Sequence, residues 1–183
     1  YDVPRGPDEV EAAISFLLDR MVALYREELP LMPGALELLN GLRAAGAATA
    51  LVSSSYRVLV DAVLDVVGHD RFDISVAGDE VGHGKPHPEP YLTACERLGV
   101  HPSRAVVLED AISGVKSAEA AGCTVVAVPW IAPIEPMPGR YVVATLSEIT
   151  VDWLLSLGSS GDTPPSCVDG SSGGTPPNSG QKS

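Results

Sequence analysis

Apolar residues recur along this chain at two spacings, and the two spacings alternate. Residues 8–28 repeat apolar positions every three or four residues, which predicts one long amphipathic helix. A shorter helix is predicted from Pro33 to Gly46, because leucines recur at helical spacing between a helix-starting proline and a helix-ending glycine. Short continuous apolar runs instead predict buried strands, at residues 47–52, 72–77, 106–108, 124–128 and 141–144.

Predicted helices follow these strands at short intervals. They end near Val67, Leu98 and Gly122, and a last helix is predicted after Ser147, whose hydroxyl is expected to cap it. Strands that alternate with helices across short connections are typical of a parallel, doubly wound sheet. The sequence therefore predicts an α/β protein with a Rossmann-like parallel sheet.

Polar residues that could take part in binding or catalysis follow two of these predicted strands. Glu109 and Asp110 come directly after one apolar run, and the serines Ser53, Ser54 and Ser55 come directly after another. Open α/β sheets bind their ligands at the carboxyl ends of the strands, so both positions are candidates for one site. A plainer explanation is open for each, because Asp110 or a serine can simply cap the helix that follows.

A third candidate is Lys85, which lies between Gly84 and Pro86 in a loop rich in glycine and proline. A lone lysine is usually a solvated surface charge, but this shaped loop is expected to hold its lysine more firmly. A hydroxyl at a helix N-terminus and an ammonium group can hold a phosphoryl group, while two carboxylates favour a hard cation such as Mg²⁺. Together these residue types suit phosphoryl-transfer chemistry.

Composition narrows the range of partners. The chain has 183 residues with 45% hydrophobic content, enough to build a core. Its 12 basic and 24 acidic residues give a formal charge of −12, which argues against nucleic acid or an anionic membrane as partner. No apolar run approaches the roughly 18 residues of a membrane span, and no secretory pattern begins the chain, so a cytoplasmic location is expected.

Cysteine and histidine give no metal or disulfide pattern in the sequence. The cysteines Cys95, Cys123 and Cys167 lie far apart, so neither a disulfide framework nor a zinc knuckle is expected. The histidines show no ligand spacing and are interpreted as ordinary loop residues: His69, His83, His87 and His101. Residues 158–183 are rich in Gly, Ser, Pro and Thr and are predicted to be a disordered tail.

Three of these pieces, in this order, resemble the motifs of the haloacid dehalogenase superfamily. Residues 51–55 (Leu-Val-Ser-Ser-Ser) look like its second motif, residues 84–86 (Gly-Lys-Pro) like its third, and residues 108–114 (Leu-Glu-Asp-Ala-Ile-Ser-Gly) like its fourth. The last two pieces are specific to the branch of β-phosphoglucomutase-like phosphatases that carry a helical cap. The resemblance covers roughly residues 8–129.

This resemblance implies a Mg²⁺-dependent phosphomonoester hydrolase that acts on a small phosphorylated metabolite such as a sugar phosphate. Ser53 and Lys85 would be catalytic residues that bind the transferring phosphoryl group, with Ser54 beside them. Asp110, helped by Glu109, would bind Mg²⁺. The neighbours of the serine turn, Tyr56 and Arg57, are candidate substrate contacts, with Arg57 counted in the substrate-binding set.

One family feature has no match in this sequence. Family members begin with an apolar strand that ends in Asp-x-Asp, whose first Asp is the nucleophile and whose second is the general acid/base. The first aspartate here, Asp2, has no apolar strand before it. The chain is therefore expected to be a fragment that lacks the central first strand of its sheet and is inactive alone. Its expected parts are a cap remnant (1–31), the α/β core (32–157) and the tail (158–183).

Three other interpretations stay open at the level of sequence. The chain could belong to a sugar-phosphate mutase, which differs from a phosphatase in the group that receives the phosphoryl. It could also be a non-catalytic module that binds phosphate. The plainest alternative is a generic Rossmann-like domain in which the acidic and serine residues are helix caps.

Overall fold

The computed structural model describes residues 6–130 and 132–158 and has the expected α/β architecture. Its helices are α1 (Pro7–Glu27), α2 (Ala35–Ala44), α3 (Arg57–Val67), α4 (Glu89–Leu98), α5 (Ile112–Ala120) and α6 (Val151–Leu157). Its strands are β1 (Ala50–Val52), β2 (Ile74–Val76), β3 (Val106–Glu109), β4 (Thr124–Ala127) and β5 (Arg140–Val142). The alternation of strand and helix is confirmed. Four of the strands are shorter than the apolar runs that predict them, and β3 extends one residue beyond its run, to Glu109.

Two predicted helix starts are wrong by a few residues. Helix α2 begins at Ala35 rather than Pro33, because Gly34 has a left-handed backbone with φ of +88° that a helix interior excludes. Ser147 does not cap the last helix and lies in a short 3₁₀ turn. The cap of α6 is Thr150, whose Oγ1 accepts a hydrogen bond from the Trp153 amide at 3.3 Å.

The strands form two parallel groups. Strand β1 pairs with β2, while β3, β4 and β5 form a second group in that order. Alternate residues of β4 bury on opposite faces of the second group. Val125 and Ala127 pack into one core with residues of α4 and α5, and Val126 packs into another with residues of α2 and α6. Helices thus cover both faces of this sheet, which is the doubly wound arrangement.

A gap separates the two groups of strands. At the two ends of β1, Thr49 O accepts the Asp73 amide and Ser53 N donates to Val76 O, so these residues face β2. Because backbone groups alternate in direction along a strand, Ala50 and Val52 face the opposite edge. Within the described residues no strand pairs with that edge. The same reasoning applies to β3, where Ala105 O and Glu109 O accept bonds from the β4 segment.

The gap is a cavity of about 660 Å³ with mostly apolar walls. Its walls come from both facing strands and from α2 and α4, with residues such as Leu38, Leu42, Leu51, Ala94, Leu98 and Val107. At one end it shares Val52, Leu108, Glu109 and Asp110 with a second, polar cleft. The gap therefore runs between two strand edges and opens where the strands end.

Helix α1 lies apart from both cores. It contacts α3, and none of its residues is buried. Phe16 and Leu17 are 69% and 59% exposed, which leaves an apolar surface on the helix. Among the described residues, no helix is both long and apolar enough to cross a membrane. The predicted disordered tail falls, from residue 159 onward, outside the described residues.

Candidate active site

A polar cleft of about 340 Å³ lies at the carboxyl ends of β1 and β3. Five of the residues predicted from the sequence line it: Ser53, Ser54, Lys85, Glu109 and Asp110. The remaining walls are formed by Val52, Ser55, Leu108, Ala111, Ser113 and Gly114. The fold thus brings together three segments that are 24 or more residues apart in sequence.

The serine turn forms one wall of the cleft. Ser53 Oγ accepts a hydrogen bond from the Ser55 amide at 3.1 Å, which closes the turn. Helix α3 begins later, at Arg57, and its capping residue Tyr56 makes no side-chain cap bond. The serines are therefore not caps of this helix. Gly78 lies directly against the turn, since a Cβ at Gly78 would lie 2.3 Å from Ser54 O.

Lys85 is buried rather than solvated. Its side chain is 9% exposed, and Nζ donates to Val52 O at 3.1 Å. Nζ also donates to Glu109 Oε1 and lies 4.8 Å from the centre of the Tyr91 ring. The ammonium group is therefore held at the end of β1 by a carbonyl, a carboxylate and an aromatic face.

Glu109 joins Lys85 to the core. Its side chain is 8% exposed, and its Oε1 accepts hydrogen bonds from both Lys85 Nζ and the Tyr91 hydroxyl. Burial, and next the negative charge of Glu109, raises the pKa of Tyr91, so the phenol keeps its proton and donates it. Glu109 therefore fixes Lys85, a contact that the sequence-based assignment of Glu109 to metal binding does not include.

Gly114 makes room for this carboxylate. A Cβ on Gly114 would lie 2.0 Å from the carboxyl carbon of Glu109. Gly114 is in the first turn of α5, so the helix backbone itself closes over the Glu109 side chain. The spacing Glu109-x-x-x-x-Gly114 thus has a steric reason.

Asp110 differs from its neighbour in exposure. It is exposed at the mouth of the cleft, and the described part of the chain offers its carboxylate no hydrogen-bond or ion-pair partner. Helix α5 is capped by Ala111 without a side-chain cap bond, so Asp110 does not cap it. With respect to the described residues, the cleft thus contains an unpaired carboxylate together with an anchored lysine.

Arg57 does not line the cleft. Its guanidinium pairs with Glu80 at 2.7 Å and with Asp61 at 3.2 Å, and it donates to Ser75 Oγ at 2.8 Å. The hydrogen bond from Arg57, followed by the Ala77 amide, lowers the pKa of Glu80 to about 2. Arg57 is thus engaged in an ion-pair network beside β2. Tyr56 is exposed and is also absent from the cleft lining.

Sequence reasoning missed two supporting residues. Tyr91 was not a candidate from the sequence, because its contact with Glu109 joins residues 18 apart. Gly78 read as a loop glycine, and its close approach to Ser54 depends on the folded loop. A tyrosine hydroxyl on the buried face of a helix was the one available signal, because a buried hydroxyl needs a partner.

The fold and the cleft define a class: parallel α/β proteins that present a fixed cation, hydroxyls and a free carboxylate at the carboxyl edge of the sheet. The chain belongs to the haloacid dehalogenase-like hydrolase family, whose model matches residues 3–122. This confirms the family resemblance that the motifs indicate.

Known relatives agree with this assignment. Hexitol phosphatase A of Escherichia coli (strain K12) is 37% identical over 124 residues, which are 67% of this chain and 57% of that protein. The chain therefore spans less than two thirds of that relative's length. A mutant of CbbY from Rhodobacter sphaeroides, solved with xylulose-(1,5)-bisphosphate, superposes with a TM-score of 0.72 at 28% identity, over 81% of this chain and 69% of that one. β-Phosphoglucomutase from Clostridium difficile gives a TM-score of 0.64 at 25% identity, over 75% and 61% of the two chains.

Proposed function

We propose that this chain supplies the phosphate-binding and metal-binding side of a Mg²⁺-dependent phosphatase that acts on a small phosphorylated metabolite, a sugar phosphate in particular. The observation that carries the proposal is the cleft, which joins Ser53, Lys85 and Asp110 at one edge of the sheet. The relatives support the substrate class, since one is named a hexitol phosphatase and another was solved with a sugar bisphosphate.

The phosphoryl group would be bound by Lys85 and the serine turn. Lys85 Nζ is held by Val52 O and Glu109, so its charge is oriented before a ligand arrives. The hydroxyls of Ser53 and Ser54 offer further donors to phosphoryl oxygens. Glu109 acts as a positioning residue for Lys85. Such preset donors stabilise charge on the phosphoryl group at little cost of reorganisation.

The metal would be held by Asp110 and by the second carboxylate oxygen of Glu109, because Glu109 Oε1 already accepts two hydrogen bonds. These are hard oxygen donors of the kind that Mg²⁺ prefers. Mg²⁺ takes six oxygens, so two carboxylates leave positions for phosphate, water and further protein groups. When bound, the cation would supply charge that neutralises the phosphoryl oxygens.

The nucleophile would come from a segment that is not among these 183 residues. Among the described residues, Asp110 is the only aspartate that lines the cleft, and it is proposed as a metal ligand. We propose that a central strand ending in Asp-x-Asp belongs in the gap between β1 and β3. The apolar walls of that gap, and its opening into the cleft, support this placement. The chain alone would then be inactive.

The remaining domain assignments belong to the same proposal. Residues 1–31 would be the remnant of a helical cap, which the exposed apolar surface of α1 supports. Residues 32–157 would be the α/β core. Arg57 is not retained as a substrate contact, because its guanidinium is paired with Glu80 and Asp61. The cytoplasmic location stays a prediction from the sequence.

Two related functions compete with this proposal. A sugar-phosphate mutase would use the same cleft and differ in passing the phosphoryl group to a sugar hydroxyl, and the likeness to β-phosphoglucomutase favours it as the second candidate. A non-catalytic phosphate-binding module would bind phosphate without needing a nucleophile. The cleft residues are common to all three.

Turnover of p-nitrophenyl phosphate tests the proposal. The purified chain alone should show no Mg²⁺-dependent hydrolysis, whereas the same chain preceded by an apolar strand ending in Asp-x-Asp should hydrolyse the ester with Mg²⁺. In that longer protein Asp110→Asn should lower kcat/KM by at least about a hundredfold. The matched control is Asp152→Asn, which alters an exposed aspartate of α6 outside the cleft.

Two outcomes would contradict the proposal. Mg²⁺-dependent turnover by the 183-residue chain, abolished by Asp110→Asn, would mean that the nucleophile lies within the chain. Equal losses in Asp110→Asn and Asp152→Asn would remove Asp110 from the site.

A further inference from the structure

The loop between β2 and α4, together with the first residue of α4, brings together three side chains that are typical transition-metal ligands. His83, His87 and Glu89 each offer one ligand atom, and these atoms lie within 4.8 Å of one another. The two imidazole rings lie 4.6 Å apart, centre to centre. His83 and His87 were interpreted from the sequence as ordinary loop residues, because the cluster forms only when the loop folds back on itself.

Glu89 is oriented toward both histidines. Its Oε1 accepts the Gly82 amide at 2.6 Å, while its Oε2 lies 2.8 Å from His83 Nδ1 and 3.8 Å from His87 Nδ1. The Gly82 amide, and next the His83 ring, lowers the pKa of Glu89, so the carboxylate is ionised at neutral pH. One carboxylate oxygen thus faces two imidazole nitrogens.

The loop backbone is fixed by bonds to its surroundings. His87 N donates to Gly84 O at 3.0 Å, and Ser117 Oγ of α5 donates to His87 O at 2.6 Å. The Glu89 amide donates a long hydrogen bond of 3.3 Å to His87 Nδ1. A metal would replace that long bond. The side chains themselves are exposed enough to turn, at 71% for His83 and 50% for His87.

The two distances from Glu89 to the histidines fit a four-coordinate site with one open position. A tetrahedral Zn²⁺ with ligands at about 2.0–2.2 Å places ligand atoms about 3.3 Å apart. The two distances from Glu89 Oε2, 2.8 and 3.8 Å, bracket that value. The ligand set also selects the ion, because imidazole suits Zn²⁺ and its neighbours while Mg²⁺ prefers oxygen alone. The chain's net charge of −12 favours the approach of a cation.

We propose that His83, His87 and Glu89 form a binding site for Zn²⁺ or a similar transition-metal cation. None of the three lines the cleft that holds Ser53, Lys85 and Asp110. The site is therefore separate from the proposed Mg²⁺ site. The proposal of a transition-metal site does not depend on the proposed phosphatase function.

Calorimetric titration of the metal-free, untagged chain with Zn²⁺ tests the site. All proteins carry Cys167→Ser, which removes a thiol outside the described residues. One Zn²⁺ should bind per chain, and His83→Ala and His87→Ala should each weaken binding by at least about tenfold. The matched control is His69→Ala, because His69 is also exposed and paired with a carboxylate, Asp65, but has no second histidine beside it.

Visible absorption with Co²⁺ in place of Zn²⁺ gives a second measurement of the same site. A tetrahedral site should produce intense d–d bands that saturate at one equivalent and disappear in Glu89→Gln and in the His83→Ala, His87→Ala double variant. The proposal is overturned if the unsubstituted chain binds no Zn²⁺ saturably. It is equally overturned if the double variant binds Zn²⁺ as tightly as His69→Ala does.

Discussion

At the scale of single residues, the cleft depends on the contact between Glu109 and Gly114. Lys85 and Tyr91 both donate to Glu109 Oε1, and the carboxyl group rests on the Cα of Gly114. Removing one partner of a buried ion pair costs several kcal/mol, because the other charge is left without compensation. Gly114 thus supports Lys85 indirectly, through Glu109, although it has no side chain that could contact a ligand.

Replacement of Gly114 by alanine tests this support. In a helix, Gly→Ala ordinarily stabilises a protein by up to about 1 kcal/mol. Here the new Cβ would lie 2.0 Å from the Glu109 carboxyl carbon, so the carboxylate must move away from Lys85. We expect Gly114→Ala to lower the free energy of unfolding in urea by about 2–3 kcal/mol.

The control for that measurement is Gly84→Ala. A Cβ at Gly84 meets nothing within 4 Å, and this glycine has no left-handed backbone. Its substitution should change the free energy of unfolding by no more than about 0.5 kcal/mol. A Gly114→Ala protein as stable as Gly84→Ala would mean that Glu109 is not confined as described.

At the scale of secondary structure, the two facing edges of β1 and β3 are the distinctive feature. Odd-numbered residues of β1 face β2, and odd-numbered residues from Ala105 to Glu109 face β4. Even-numbered residues of both strands face the gap. Backbone amides within the same strand therefore have different environments.

Hydrogen exchange of single amides measures this difference. We expect the amides of Ala50 and Leu108, which face the gap, to exchange at least about tenfold faster than those of Leu51 and Val107, because only the latter two are hydrogen-bonded in a sheet. The neighbouring amides of each strand serve as internal controls. Equal protection along β1 and β3 would contradict an open gap and would indicate that the two strand groups pair with each other in solution.

The individual helices and strands were predicted better than the pairing of strands with one another. Hydrophobic periodicity is local, so the helix of residues 8–28, the helix that ends near Gly122 and the buried runs before Ser53 and Glu109 could be identified from the sequence. The division of the sheet into two groups depends on which strand edges pair. It was expected only because the sequence resembles a family whose sheet contains a further strand. The cap at Thr150 was missed because Ser147 and Thr150 offer equivalent hydroxyls three residues apart.

At the scale of the whole molecule, the parallel topology explains why the cleft residues could be predicted to lie together. Parallel strands end at a common edge, so Ser53 and Asp110 needed only their strand positions to be placed together. Lys85 lies on a loop rather than a strand end, and it was singled out because Gly84 and Pro86 on either side were expected to hold it firmly. Arg57 was assigned by proximity in sequence alone, and the structure directs it to Glu80, since a guanidinium with two carboxylates in reach gains more from them than from solvent. The histidine cluster could not be predicted because its contacts depend on the folded loop.

The clearest test of the molecule as a phosphate-binding protein is titration with inorganic phosphate in the presence of Mg²⁺, followed by ³¹P NMR. The 183-residue chain should bind phosphate saturably. Lys85→Met should weaken binding by at least about tenfold, and Ser53→Ala, which leaves the Lys85–Glu109 pair intact, should weaken it severalfold. Lys116→Met, which removes an exposed charge of α5 outside the cleft, should bind as the unsubstituted chain does. Unchanged phosphate affinity in both Lys85→Met and Ser53→Ala would contradict the assignment of this cleft.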